Sequence, residues 1–106
     1  MTSDVVKYEA SISAVPYAGH VIPHLVRHLE DTLSAVVDAH CIVLGLDNDV
    51  MSGPEFDTLT VHIRFNAASE AEASAITREA AEKVGTSDEH WRIVGEPSVR
   101  ALGDGL

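Results

Sequence analysis

Thr58-Leu59-Thr60-Val61-His62-Ile63-Arg64-Phe65-Asn66 alternates without a break. Leu59, Val61, Ile63 and Phe65 fall on one side, and Thr58, Thr60, His62 and Arg64 on the other. Side chains in a strand alternate with period two, so this is a strand with one face toward a core and one polar face.

Upstream, Asp47 to Asp57 carries Asn48, Ser52, Gly53 and Pro54 and is expected to be a loop. Before it, residues 40 to 46 (His-Cys-Ile-Val-Leu-Gly-Leu) form a short apolar run, expected to be a strand with two apolar faces. From Pro23 to Val37, Leu25, Val26, Leu29, Leu33, Val36 and Val37 form one stripe at helical spacing. Proline suits the first turn of that helix, where its missing N–H is not needed. At the start, Val6, Tyr8, Ala10, Ile12 and Ala14 alternate with Lys7, Glu9, Ser11 and Ser13, a second half-buried strand over residues 5 to 15.

Downstream, Ser69 and Glu72 make a capping box, and Ala73, Ile76, Ala80 and Val84 a narrow apolar face, so a helix is expected from Ser69 to Val84 with Gly85 ending it. Residues 90 to 95 around Trp91, Ile93 and Val94 read as a last strand, interrupted by Pro97. Ser98 to Leu102 either resumes beyond a bulge or belongs to the tail, and 103–106 is expected to fray.

The order strand-helix-strand occurs twice, and Asp, His and Gly recur at matching places in Asp38-to-Gly45 and Asp88-to-Gly95. Two right-handed β-α-β units interleaved give the expected fold. It is an α+β, ferredoxin-like β-α-β-β-α-β sandwich: a four-stranded antiparallel sheet with two helices on one face, in a single domain spanning residues 1–106.

Seventeen acidic residues against seven basic ones give a net charge of −10. Such a surface repels phosphate backbones and anionic lipid, so neither nucleic acid nor membrane is an expected partner. The polar face of the two alternating strands also lacks the aromatic residues on which RNA bases stack. Cys41 is the only cysteine, which excludes an internal disulfide. No basic region followed by an apolar run opens the chain and no apolar stretch is long enough to span a bilayer, so a cytoplasmic protein is expected, with a virion or other assembly as the alternative.

Three groups of residues are candidates for a site. Glu9, His62 and Arg64 share the polar sheet face and could hold an anionic ligand or act as an acid–base set. His24 and His28 stand four residues apart with Asp31 on the same side of the helix, a spacing that can hold zinc; His20 continues the row. Ile42, Leu44 and Leu46 alternate with Cys41, Val43 and Gly45, so one apolar set on that strand is expected to face outward and meet a partner. The acidic run Asp47, Asp49, Glu55 and Asp57 fails the calcium-loop pattern, since Ser52 stands in place of its glycine and Thr58 in place of its closing glutamate. His40 and His90 read as structural, and Cys41 as an inert thiol.

No phosphate loop, nucleophile elbow or paired-cysteine motif is present, and no cofactor is expected. The expected function is a small acidic, non-catalytic protein-interaction or assembly domain, regulatory or structural, forming a homo-oligomer or binding a protein partner through its sheet. The alternatives are a small dimeric ferredoxin-like enzyme or ligand-binding protein using His62 and Arg64, and an acidic DNA-mimic inhibitor.

Overall fold

The computed structural model describes residues 5–17, 23–87 and 90–104. The elements are β1 (Val6–Pro16), α1 (Pro23–Asp38), β2 (Val43–Ser52), β3 (Asp57–Ala67), α2 (Glu70–Ser87), β4 (Trp91–Ile93) and β5 (Ser98–Asp104). The fold is α+β, with one antiparallel sheet of five strands and two helices. The sheet order is β2-β3-β1-β4, and β5 also pairs with β1.

The two alternating segments become the centre of the sheet. Tyr8 lies opposite Phe65, Ala10 opposite Ile63, Ile12 opposite Val61 and Ala14 opposite Leu59. All eight are buried, and they form a single cluster with Leu29, Leu33 and Val37 of α1 and Ala73, Ile76, Ala80, Ala81 and Val84 of α2. Three of the five α2 residues in this cluster, Ala73, Ala80 and Ala81, are small. Thr77, the one buried polar residue among those described, satisfies its hydroxyl on the carbonyl of Ala73 at 2.8 Å.

Both helices begin as their sequences dictate. Pro23 is the first residue of α1. The Ser69 hydroxyl accepts the Glu72 N–H at 3.1 Å and caps α2. Gly85 does not end α2, which continues to Ser87. A glycine weakens a helix interior by only about 1 kcal/mol, and here it packs toward Ile93 of β4.

The second strand differs most from expectation. It starts at Val43, because the Cys41 N–H still bonds the Val37 carbonyl at 2.7 Å and keeps His40 and Cys41 in the turn after α1. It then runs through Asp47, Asn48 and Asp49 to Ser52, so the expected loop shrinks to a turn between Ser52 and Asp57. Hydrogen bonding to β3 along this whole length outweighs the weak strand preference of those residues.

Its pairing also shifts register between Val43 and Gly45. The extra residue changes the phase of alternation, so Val43 and Leu46 both pack against the core although an odd number of positions separates them. The two-sided apolar pattern is thus resolved within the chain, and Leu46 does not face outward as expected.

At the other edge, four strands become five. Gly95 adopts a left-handed φ of 70° and Pro97 follows, which breaks the strand between Ile93 and Ser98. The Val94 N–H still reaches the Ser13 carbonyl at 3.0 Å, and both pieces remain antiparallel to β1. The segment expected to fray forms strand as far as Asp104; residues 105 and 106 lie outside the described residues. The matching glycines of the internal echo do different work: Gly95 makes this turn, while Gly45 lies inside β2.

Candidate functional site

The residues of β1 and β3 that alternate with the core set share the opposite face of the sheet. Their registers set Lys7 against Asn66, Glu9 against Arg64, Ser11 against His62 and Ser13 against Thr60. From the flanking strands, Arg100 lies opposite Glu9, and Asp47 and Asp49 lie opposite His62 and Thr60.

Two connected rows result. In the first, the Arg100 Nε and Nη2 donate to Glu9 Oε1 at 3.2 and 2.8 Å, and the Arg64 Nη1 donates to Glu9 Oε2 at 3.4 Å and to Asp47 Oδ2 at 3.1 Å. Charge alternates across β5, β1, β3 and β2, and the Glu9 side chain is only 14% exposed. The Arg100 guanidinium holds the Glu9 carboxyl below the usual glutamate range; partial burial opposes this, and His62 and Arg64 reinforce it. Gly45 lies beneath Arg64: a Cβ there would stand 3.0 Å from both Nε and Nη2.

In the second row, His62 joins two strands. Its Nδ1 lies 2.8 Å from the Ser11 Oγ and its Nε2 lies 3.2 Å from Asp49 Oδ2. Ser13 and Thr60 form a third, neutral pair at 2.9 Å.

The structure therefore brings Glu9, His62 and Arg64 together on one face, and adds Ser11, Asp47, Asp49 and Arg100. Alternation alone assigns a residue to a face. The partners from β2 and β5 depend on cross-strand register, and the only sequence signal for them is the D-x-D spacing of Asp47 and Asp49.

The other candidates are not assembled in this way. His24, His28 and Asp31 are exposed on α1, and among the described residues no three His, Cys, Asp or Glu side chains gather as a cation would require. His20 lies outside the described residues. The His40 Nε2 donates to Glu79 Oε2 at 2.8 Å, bridging the turn after α1 to α2. Cys41 is half-buried beside Glu72; burial first, and that carboxylate second, push its thiol up. Of the expected interface set, Ile42 precedes β2 and is 73% exposed, Leu44 sits at the register shift, and Leu46 packs inward. Exposed apolar side chains instead gather at the far end of the β2–β3 hairpin, where Val50, Met51 and Phe56 are 47%, 75% and 43% exposed. The cleft of about 210 Å³ between α2 and the β4–β5 link, lined by Thr77, Arg78, Glu96 and Pro97, contains none of the residues of the polar face.

No family model and no curated protein matches the chain. Among solved structures it is similar to the de novo designed protein Foldit4, with 12% identity over 93% of this chain and 99% of that one and a TM-score of 0.54. It is also similar to AtUAH in complex with glyoxylate (10% identity, 92% of this chain, 29% of that one, TM-score 0.44) and to a hydantoinase/carbamoylase-family amidase from Burkholderia phymatum (16%, 92%, 28%, 0.40). The likeness to the designed protein is one of fold alone. No helix among the described residues is long and apolar enough to cross a membrane.

Proposed function

We propose that this chain is a protein-interaction or assembly domain that self-associates through its sheet, with the edge of β2 as the contact. In the same proposal β4 and β5 are two halves of one interrupted fourth strand, which makes the arrangement ferredoxin-like with both helices on one face. Its working compartment is taken to be the cytoplasm, in keeping with a lone unpaired cysteine.

The carrying observation is the outer edge of β2. It spans ten residues, nine of them paired with β3 and with no strand among the described residues on the other side, and it ends in exposed Val50 and Met51 with Phe56 across the turn. An unpaired edge of this length is a template for another strand, and exposed apolar residues along it favour one. The polar face is a weaker candidate for contact, because its charges already neutralise one another across the strands.

The proposed pairing is antiparallel about a two-fold axis. With Val50 opposite its own copy, Asp49 faces Met51 and Asn48 faces Ser52. Registers displaced toward the start of β2 set Asp49 against itself or against Asp47, which like-charge repulsion disfavours. Because both copies are acidic, association should strengthen as salt screens their mutual repulsion.

Light scattering over a concentration series at low and moderate salt tests this. A dimer whose population rises with concentration and salt is expected. Val50→Glu, which sets two carboxylates face to face, should give a monomer with a similar melting temperature, and Met51→Glu should weaken the dimer. A wild-type monomer at the highest attainable concentration, or a dimer indifferent to both changes, overturns the proposal.

A further inference from the structure

We propose that Ser11 is an activated nucleophile, with His62 as its base and Asp49 as the group that orients the base, able to accept the acyl group of small esters with good leaving groups.

A nucleophile–base–orienter set is recognised by geometry and role, whatever the order of its members in the chain. Here the hydroxyl is 2.8 Å from one imidazole nitrogen and the carboxylate 3.2 Å from the other. An ionised carboxylate only accepts hydrogen bonds, so Nε2 carries the proton that Asp49 accepts. The neutral ring then presents its Nδ1 lone pair to Ser11, whose O–H donates to it. That tautomer is the one a general base requires.

The frame is rigid. Ser11 and His62 are directly opposed on the two central strands, between flanking residues whose inward side chains are fully buried. The His62 side chain is 24% exposed, sheltered yet open to a small molecule. Ser98 stands opposite Ser11 on β5 and brings a further hydroxyl to the same row. Among the described residues this face is a sheet surface, which restricts the substrate class to short acyl groups.

In the reaction, Ser11 Oγ bonds to the ester carbonyl carbon as its proton passes to His62 Nδ1. The tetrahedral adduct collapses with cleavage of the bond to the leaving oxygen, which takes that proton. Water then attacks the acyl-serine, delivers a proton through His62 back to Ser11 Oγ, and the carboxylic acid departs.

The chain contains its own control. Ser13 occupies the same strand and face, but its partner is Thr60, not a base. The test is to expose the purified full chain to a fluorophosphonate probe and follow adduct formation by intact mass and peptide mapping, with p-nitrophenyl acetate hydrolysis in parallel. One adduct at Ser11 is expected, with fluoride displaced, forming faster than any adduct at Ser13 by about 100-fold. Ser11→Ala should abolish it, His62→Gln should slow it by about 100-fold, and Asp49→Asn by about tenfold or more, with thermal melts showing each variant folded. No adduct at Ser11, equal labelling of Ser11 and Ser13, or labelling indifferent to His62→Gln in a folded variant overturns the proposal.

Discussion

Arg100 lies directly opposite Glu9 on the neighbouring strand, and two nitrogens of its guanidinium converge on a single oxygen of that carboxylate, at 2.8 and 3.2 Å. The other oxygen faces Arg64 at 3.4 Å. One acidic side chain thus ties together three strands, including β5, the last element of the sheet.

Glu9→Gln keeps the shape of this side chain and removes its charge. Hydrogen bonds to charged groups contribute more than neutral ones, but Arg100 is 71% exposed and heavily screened, so a loss of about 1 kcal/mol is expected. Urea unfolding at neutral pH measures it, and hydrogen exchange should show the loss concentrated in β5.

The same carboxylate makes stability depend on pH. Its folded pKa is lowered, chiefly by Arg100, so the unfolded chain binds its proton first as pH falls. The contribution is complete above the ordinary glutamate range and disappears as pH drops through that range to the lower folded value. Wild type and Glu9→Gln should therefore differ in melting temperature at pH 7 and converge in acid. A difference that persists unchanged at pH 3 contradicts the assignment.

Gly45→Ala pushes a methyl group into the Arg64 guanidinium. The side chain can yield by a few tenths of an ångström, so the net cost should stay within about 1 kcal/mol, with coupling to Arg64 measurable by a double-mutant cycle. Gly45→Ala should cost less, or stabilise, once Arg64→Ala has vacated the space. Equal effects in both backgrounds would show that the two residues do not interact.

Gly53→Ala meets backbone instead. A Cβ there would lie 2.6 Å from the Phe56 carbonyl oxygen, the same oxygen that accepts the Gly53 N–H at 2.9 Å. The turn must open to admit it, at a cost of about 1–3 kcal/mol. Amide exchange should quicken at the hairpin end, around Val50 and Thr58, more than at the sheet centre.

In the core, Leu33 is fully buried between α1 and the sheet, and Leu33→Ala should cost about 2–5 kcal/mol in chemical denaturation. Ala80→Leu should cost about 1–3 kcal/mol for the opposite reason, because Ala80 is fully buried in the core and the change adds three more carbon atoms there.

Period-two and period-3.6 patterns are local, so β1, β3 and both helices can be read directly from the order of residues. The limits of β2 cannot. Asp47, Asn48 and Asp49 prefer turns, and only the neighbouring β3 draws them into an extended ladder. The phase shift between Val43 and Gly45 likewise appears only once the strands are paired, which is why Leu46 looked available for a partner. The same holds for the polar face. Alternation assigns Glu9, His62 and Arg64 to it, whereas Asp49 and Arg100 come from strands whose offset no local pattern encodes.

The break after Ile93 bears on stoichiometry. Gly95 turns the backbone aside and Pro97 has no N–H to offer, so the β4–β5 border is jagged, whereas the β2 border pairs without a break from Gly45 to Ser52. Under the proposed pairing each molecule then has a valence of one. Two copies consume the smooth borders and leave only jagged ones outside, so growth terminates at the pair and no fibre can form.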